Sequence, residues 1–143
     1  MPIDIKVLHG GLRLLCRGVL TGDDLIGVHN RLLASPEVLK RSKYALVDEM
    51  AVDRLDVSTA ELETVADLDK RLAAVAAAHA VIAIVAPRDL GFGLARMWEV
   101  FAEETGWETM TFRSVAEAEP WVCEKVKQNF GVDLAEEVKT ASG

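Results

Sequence analysis

Ile3, Ile5 and Val7 alternate with Asp4 and Lys6, the period of two that predicts a strand with one face buried. Gly10-Gly11 turns the chain and Leu12 to Val19 supplies a second such run, so the chain is expected to open on an antiparallel hairpin. Thr21 followed by Gly-Asp-Asp offers a side-chain cap and negative charge to a first helical turn. A helix is therefore predicted from about Asp23 to Leu33, with Leu25, Val28, Leu32 and Leu33 on its apolar side. Ser35-Pro36 punctuates the pattern, and Tyr44-Ala-Leu-Val-Asp48 reads as a short central strand. Ser58-Thr-Ala-Glu61 is a capping box, in which Ser58 and Glu61 satisfy each other's free amides, and a long helix should follow to about Ala78.

Val81 to Ala86 is an apolar run of the kind buried on both faces, and it breaks at Pro87 before the segment Arg88-Asp-Leu-Gly-Phe-Gly93. From Gly93 to Thr105 the stripe Leu94, Met97, Trp98 and Phe101 has helical spacing, with Arg96, Glu99, Glu103 and Glu104 on the wetter side. Gly106 ends that helix, Trp107 to Phe112 alternates as an edge strand, and Ser114-Val-Ala-Glu117 opens a last helix through Ala118, Trp121, Val122 and Val126. The order of elements implies an α/β fold: a single small mixed, mostly parallel five-stranded sheet flanked by four helices. One domain over residues 1–127 is expected, followed by a short polar tail over 128–143 that holds one weak amphipathic turn and is loosely attached.

Composition narrows the function classes. A chain of 143 residues, 50% hydrophobic and 27% charged, has the balance of one globular domain. Its net charge of -7, with basic residues scattered among carboxylates, disfavours nucleic acid as a partner. Cys16 and Cys123 form no metal or redox spacing and read as a reduced pair, which points to the cytoplasm. The opening Met1-Pro-Ile-Asp-Ile-Lys lacks the basic-then-apolar order of a signal peptide. Leu72 to Ala86 is too short for the ~20 residues that span a bilayer and is interrupted by His79.

The sites of common chemistries are incomplete. His9, His29 and His79 have no ligand spacing, so no metal and no cofactor are expected. No G-x-S-x-G elbow is present, and Ser35, Ser42, Ser58 and Ser114 sit at breaks or caps. Asp48, Glu49, Asp53 and Asp56 follow a strand, as the magnesium-binding acids of a phospho-acceptor domain do. The hydroxyl and lysine such a site needs at later strand ends are replaced by Val85-Ala-Pro87 and Thr111-Phe-Arg113. Gly91-Phe-Gly93 completes neither phosphate-loop pattern.

What remains is apolar. Leu90 and Phe92 fall in a glycine-rich stretch where no helical stripe accounts for them, as a pocket mouth or a membrane-facing wedge would. The expected ligand-binding set is Met50, Leu55, Arg88, Leu90, Phe92 and Met97, around loops after Asp48 and Ala86, with Arg88 placed to hold an acidic head and Arg96 as a helper. No catalytic residue is expected. A non-enzymatic binding domain for a nonpolar or lipid-like small ligand is the first reading.

The segments Gly18-Val-Leu-Thr-Gly-Asp-Asp24, Tyr44-Ala-Leu-Val-Asp48, Ile84-Val-Ala-Pro87, Gly91-Phe-Gly-Leu-Ala-Arg-Met97 and Phe112-Arg-Ser-Val-Ala-Glu-Ala118 with Trp121 together resemble the SpoIIAA-like bacterial proteins. The resemblance covers about residues 3–126. These proteins are related to STAS domains, the fold of anti-sigma-factor antagonists, and are similar to CRAL-TRIO lipid carriers. The resemblance implies a homodimer and the binding of nonpolar ligands, with peripheral contact at a membrane surface. It also frames the alternative reading, a STAS-type regulatory module that docks a protein partner through Ser58. The phosphorylated antagonists carry Asp-Ser-(Ser/Thr)-Gly at that place, where this chain has Asp56-Val-Ser-Thr-Ala60 without the glycine.

Overall fold

The computed structural model describes residues 2–140 of the 143. β1 (Ile3–Val7) and β2 (Gly11–Thr21) form the hairpin, with Ile3 opposite Cys16 and Val7 opposite Leu12. α1 (Gly22–Leu33) and α2 (Pro36–Arg41) lead to β3 (Tyr44–Asp56), and α3 (Thr59–Val75) leads to β4 (Val81–Val85). α4 (Asp89–Phe101) and a 3-10 turn (Glu103–Thr105) precede β5 (Glu108–Phe112), after which come α5 (Val115–Phe130) and α6 (Ala135–Thr140). The strands lie in the order β1-β2-β3-β4-β5, antiparallel in the first pair and parallel in the rest. The mixed five-stranded α/β sheet is as the pattern predicts; α2 and α6 are added to the four expected helices.

From β2 to β5 each parallel strand is laid down beside the last in one direction. Right-handed crossovers then carry α1, α3 and α4 to the same face of the sheet. α5, which follows the final strand, takes the other face together with α6. The period-two alternation divides the strands accordingly. Leu12, Leu14, Cys16 and Leu20 of β2 and Ile82 and Ile84 of β4 pack towards α1, α3 and α4. Tyr44 and Leu46 of β3 and Val81, Ala83 and Val85 of β4 pack against Val122 and Val126 of α5.

Three departures from the sequence pattern affect the site. β3 runs eight residues past Asp48 because β2 also continues, and the two stay paired to Thr21 opposite Asp56. Two register shifts, at Leu15/Arg17 and Gly18/Val19, accommodate that ribbon, and Gly18 takes the left-handed φ of 66° that the irregularity demands. α4 begins at Asp89, so Leu90, Gly91, Phe92 and Gly93 form its first turns and are not a loop.

The third departure is the tail. α5 continues to Phe130, and Leu134 and Val138 are buried against the α5 face. Glu137 of α6 accepts the Gly10 amide and the Tyr44 hydroxyl, each at 2.9 Å. The segment read as loosely attached is thus docked through residue 138, while its last residues, 141–143, lie outside the described residues. Two apolar side chains one helical turn apart give a weak hydrophobic signal, and their acidic neighbour carries the rest of the attachment.

Candidate functional site

A partly open cavity of about 140 Å³ lies between the sheet and α1, α3 and α4. Its walls are largely aliphatic: Leu12, Leu14, Val28, Leu62, Val65, Leu72, Ile82 and Ile84, closed by Trp98 and Trp107. Protein interiors rarely keep voids larger than a water molecule. A void of ~150 Å³ with such walls stays dry and accepts a benzene-sized guest.

One polar cluster is set into this wall, one residue from each helix. Asp69 of α3, 3% exposed, holds His29 Nε2 of α1 with Oδ1 at 2.7 Å and Trp98 Nε1 of α4 with Oδ2 at 2.7 Å. His29 Nδ1 lies 2.7 Å from the Leu25 carbonyl, which can only accept, so that nitrogen carries a proton. Nε2 faces a carboxylate and donates as well. The charged form of the ring is thus favoured: burial pulls its pKa down, but the Asp69 charge, the Asp69 hydrogen bond and the Leu25 carbonyl outweigh burial and leave it raised. Both ring nitrogens are occupied, so His29 has no free position for a transferred proton.

In the sequence His29 stands out only as a histidine without ligand spacing and Trp98 only as part of an apolar stripe, and Asp69 does not stand out at all. The signal is present in α3, where Leu62, Val65 and Leu72 share an inward stripe with Asp69 at helical spacing. A carboxylate on an apolar stripe needs a buried partner. The partners sit 40 and 29 residues away, beyond the reach of any local pattern.

A second hollow of about 160 Å³ lies outside the first, at the carboxyl ends of β3 and β4, bounded by Val52, Asp53, Arg54, Ala86, Pro87, Arg88 and Leu90. The two share Glu49, Leu55 and Gly91. Gly91 keeps this partition thin: a Cβ there would stand 3.1 Å from Leu55 Cδ1 and 3.3 Å from Glu49 Oε1. Burial, and then the neighbouring Asp48 charge, push the Glu49 carboxyl up to about 7.

Of the six expected ligand-binding residues, Leu55 borders both hollows, and Arg88 and Leu90 border the outer one, where Arg88 donates to the Asp53 carbonyl. Met50, Phe92 and Met97 border neither. Met50 and Met97 are exposed, and Phe92 lies under the Arg113 guanidinium, 4.2 Å from its ring centre. The acid pair is split by the pleat. Asp48 turns to the α5 face, 3.6 Å from the buried Arg13, which also pairs with Glu119 at 3.2 Å, whereas Glu49 turns to the cavity. Among the described residues no cluster of three His, Cys, Asp or Glu can hold a metal, and no helix is long and apolar enough to cross a membrane.

The sequence matches no family model and no curated protein. Its fold resembles the crystal structure of an uncharacterized DUF3478-family protein with a SpoIIAA-like fold from Shewanella loihica PV-4, at a TM-score of 0.50 and 22% identity, over 85% of this chain and 92% of that one. The fold is SpoIIAA-like. At this identity the likeness extends to the fold alone, and it carries no CRAL-TRIO relation.

Within the SpoIIAA-like fold, Ser58 is the exposed N-cap of α3. Its Oγ accepts the Glu61 amide at 3.1 Å, and Glu61 Oε1 accepts the Ser58 amide at 2.9 Å. Ser58→Ala is expected to lower stability by about 1 kcal/mol, and Ser58→Asp to keep most of it, because aspartate caps as well as serine. Urea denaturation of the two variants checks this ordering.

Proposed function

We propose that this protein is a non-catalytic binding domain whose ligand is a small nonpolar molecule held between the sheet and α1, α3 and α4. The observation that carries the reading is the benzene-sized, largely aliphatic cavity between the sheet and these helices. The site differs from the one expected at the loops: the ligand lies inside the helix layer, and the outer hollow with Arg88 is its approach. Leu90 and Val100, each 62% exposed, and Met97, 38% exposed, lie along the outer side of α4 and suit delivery from a membrane surface.

Native mass spectrometry of the purified protein should find a bound small molecule, or toluene should raise the Tm of the empty form by several degrees. Trp98 and Trp107, both in the wall, report the same event by fluorescence. Ala95→Leu, which puts a larger side chain into the cavity from α4, should weaken toluene binding at least about tenfold while unfolding remains cooperative. Absence of any bound mass together with an unchanged Tm at saturating toluene would overturn the reading.

A second reading, docking of a regulatory protein, is favoured by the exposure of Ser58 at the start of α3. It predicts a partner that binds the native chain and is lost with Ser58→Asp. A partner retained by that variant argues against it.

A further inference from the structure

Glu49 stands between two hollows with no counter-charge of its own. Other oxygen-bearing side chains of the inner wall are engaged: Asp69 by His29 and Trp98, the Ser42 hydroxyl by the Val38 carbonyl at 2.7 Å, and the Tyr44 hydroxyl by Glu137. Glu49 is the one carboxylate of that wall without a hydrogen bond or ion pair among the described residues. The charges around it do not neutralise it. Asp48, beside it on β3, has its guanidinium partner Arg13 on the opposite face of the sheet, and Cys16 of β2 is a neutral thiol. His29 and Asp69, from α1 and α3, form a closed pair. Arg88, ahead of α4, is tied to the Asp53 carbonyl, and Arg54 and Asp53 lie on the outer hollow's own rim.

A carboxylate at the neck of a dry cavity, next to a second carboxylate, rejects anions and favours a cation that brings its own apolar body. We propose that the neck formed by Glu49, Leu55 and Gly91 is a head-group site, at which the Glu49 carboxylate receives the ammonium of a small apolar amine whose hydrocarbon part fills the inner cavity. This rests on the reading of that cavity as the ligand site and names the class of ligand. It also reverses the expectation of an acidic head held by Arg88, which lies outside the neck.

Benzylamine, toluene and benzoate have nearly the same shape and differ in the group presented to the neck. Titrated against Trp fluorescence at pH 8, benzylamine should bind at least about tenfold more tightly than toluene, and benzoate most weakly. The amine's advantage over toluene should collapse in Glu49→Gln. It should also fall at pH 5.5, where the carboxyl takes up a proton while the amine stays charged. Gly91→Ala provides a variant with a better helix former, whose added methyl crowds Leu55 and Glu49 and should weaken the amine severalfold. Equal affinity for benzylamine and toluene overturns the head-group site but leaves the apolar cavity as a binding site. Tightest binding of benzoate overturns it in favour of an arginine-held head, and binding of none of the three overturns both readings.

Discussion

Asp69→Ala is expected to destabilise the fold by about 3–5 kcal/mol, the range for removing one partner of a buried charged pair. Asp69 satisfies an imidazolium and an indole N–H in the wall of a largely apolar cavity. Its loss strands two donors on two different helices. Because α1, α3 and α4 meet through this one carboxylate, the variant should also loosen the cavity wall and lower the cooperativity of unfolding. Urea denaturation measures the loss, and Asp69→Asn, which keeps one acceptor, should fall between variant and wild type. A change below about 1 kcal/mol would mean that the cluster is hydrated and contributes no net stability. The difference also depends on pH. The raised His29 pKa means that the pair's stabilisation is fully present below the ordinary histidine value of 6.5 and is lost as pH rises through the folded-state value. The gap between wild type and Asp69→Ala should therefore narrow in alkali.

Glu49→Gln should do the opposite and stabilise the protein at pH 8, by about 3 kcal/mol, at roughly 1.4 kcal/mol for each unit between the ordinary value of 4.5 and the folded-state value of about 7. The folded carboxyl holds its proton up to about 7, whereas the unfolded one releases it near 4.5. The folded state thus binds more protons over that interval, so this contribution to stability is greatest below pH 4.5 and falls as pH rises to about 7. The amide has no such dependence. Wild type and Glu49→Gln should differ little at pH 4 and diverge above pH 5 in thermal or urea unfolding. Parallel curves across that range would show that Glu49 is solvated. The gain in stability and the loss of amine preference in the same variant would mark a residue that is kept at a cost to the fold.

The sheet was legible because alternation and apolar runs encode it directly: Ile3 to Val7, Tyr44 to Asp48 and Val81 to Val85 all lie where the pattern puts them. The first turn of α4 was not legible. Pro87 and two glycines read as a loop, since glycine is a poor helix former, yet Gly91 is in the helix because Leu55 and Glu49 press against the place a side chain would take. The far half of β3 was hidden by its acids, which a strand tolerates on an exposed ribbon. The candidate site was legible only at its rim, in Leu55, Arg88 and Leu90. A void is volume that no residue fills, and no periodicity in a sequence reports what three helices and a sheet leave between them.

The clasp made by Glu137 bears on the order in which the molecule can be completed. Its carboxylate grips an amide 127 positions earlier in the chain, and its neighbour Val138 lends a carbonyl to the buried Arg13. Both contacts join α6 to the first hairpin. A nascent chain leaving the ribosome therefore carries an open flank, with the Gly10 amide, the Tyr44 hydroxyl and the Arg13 guanidinium awaiting partners, until α6 has been synthesised.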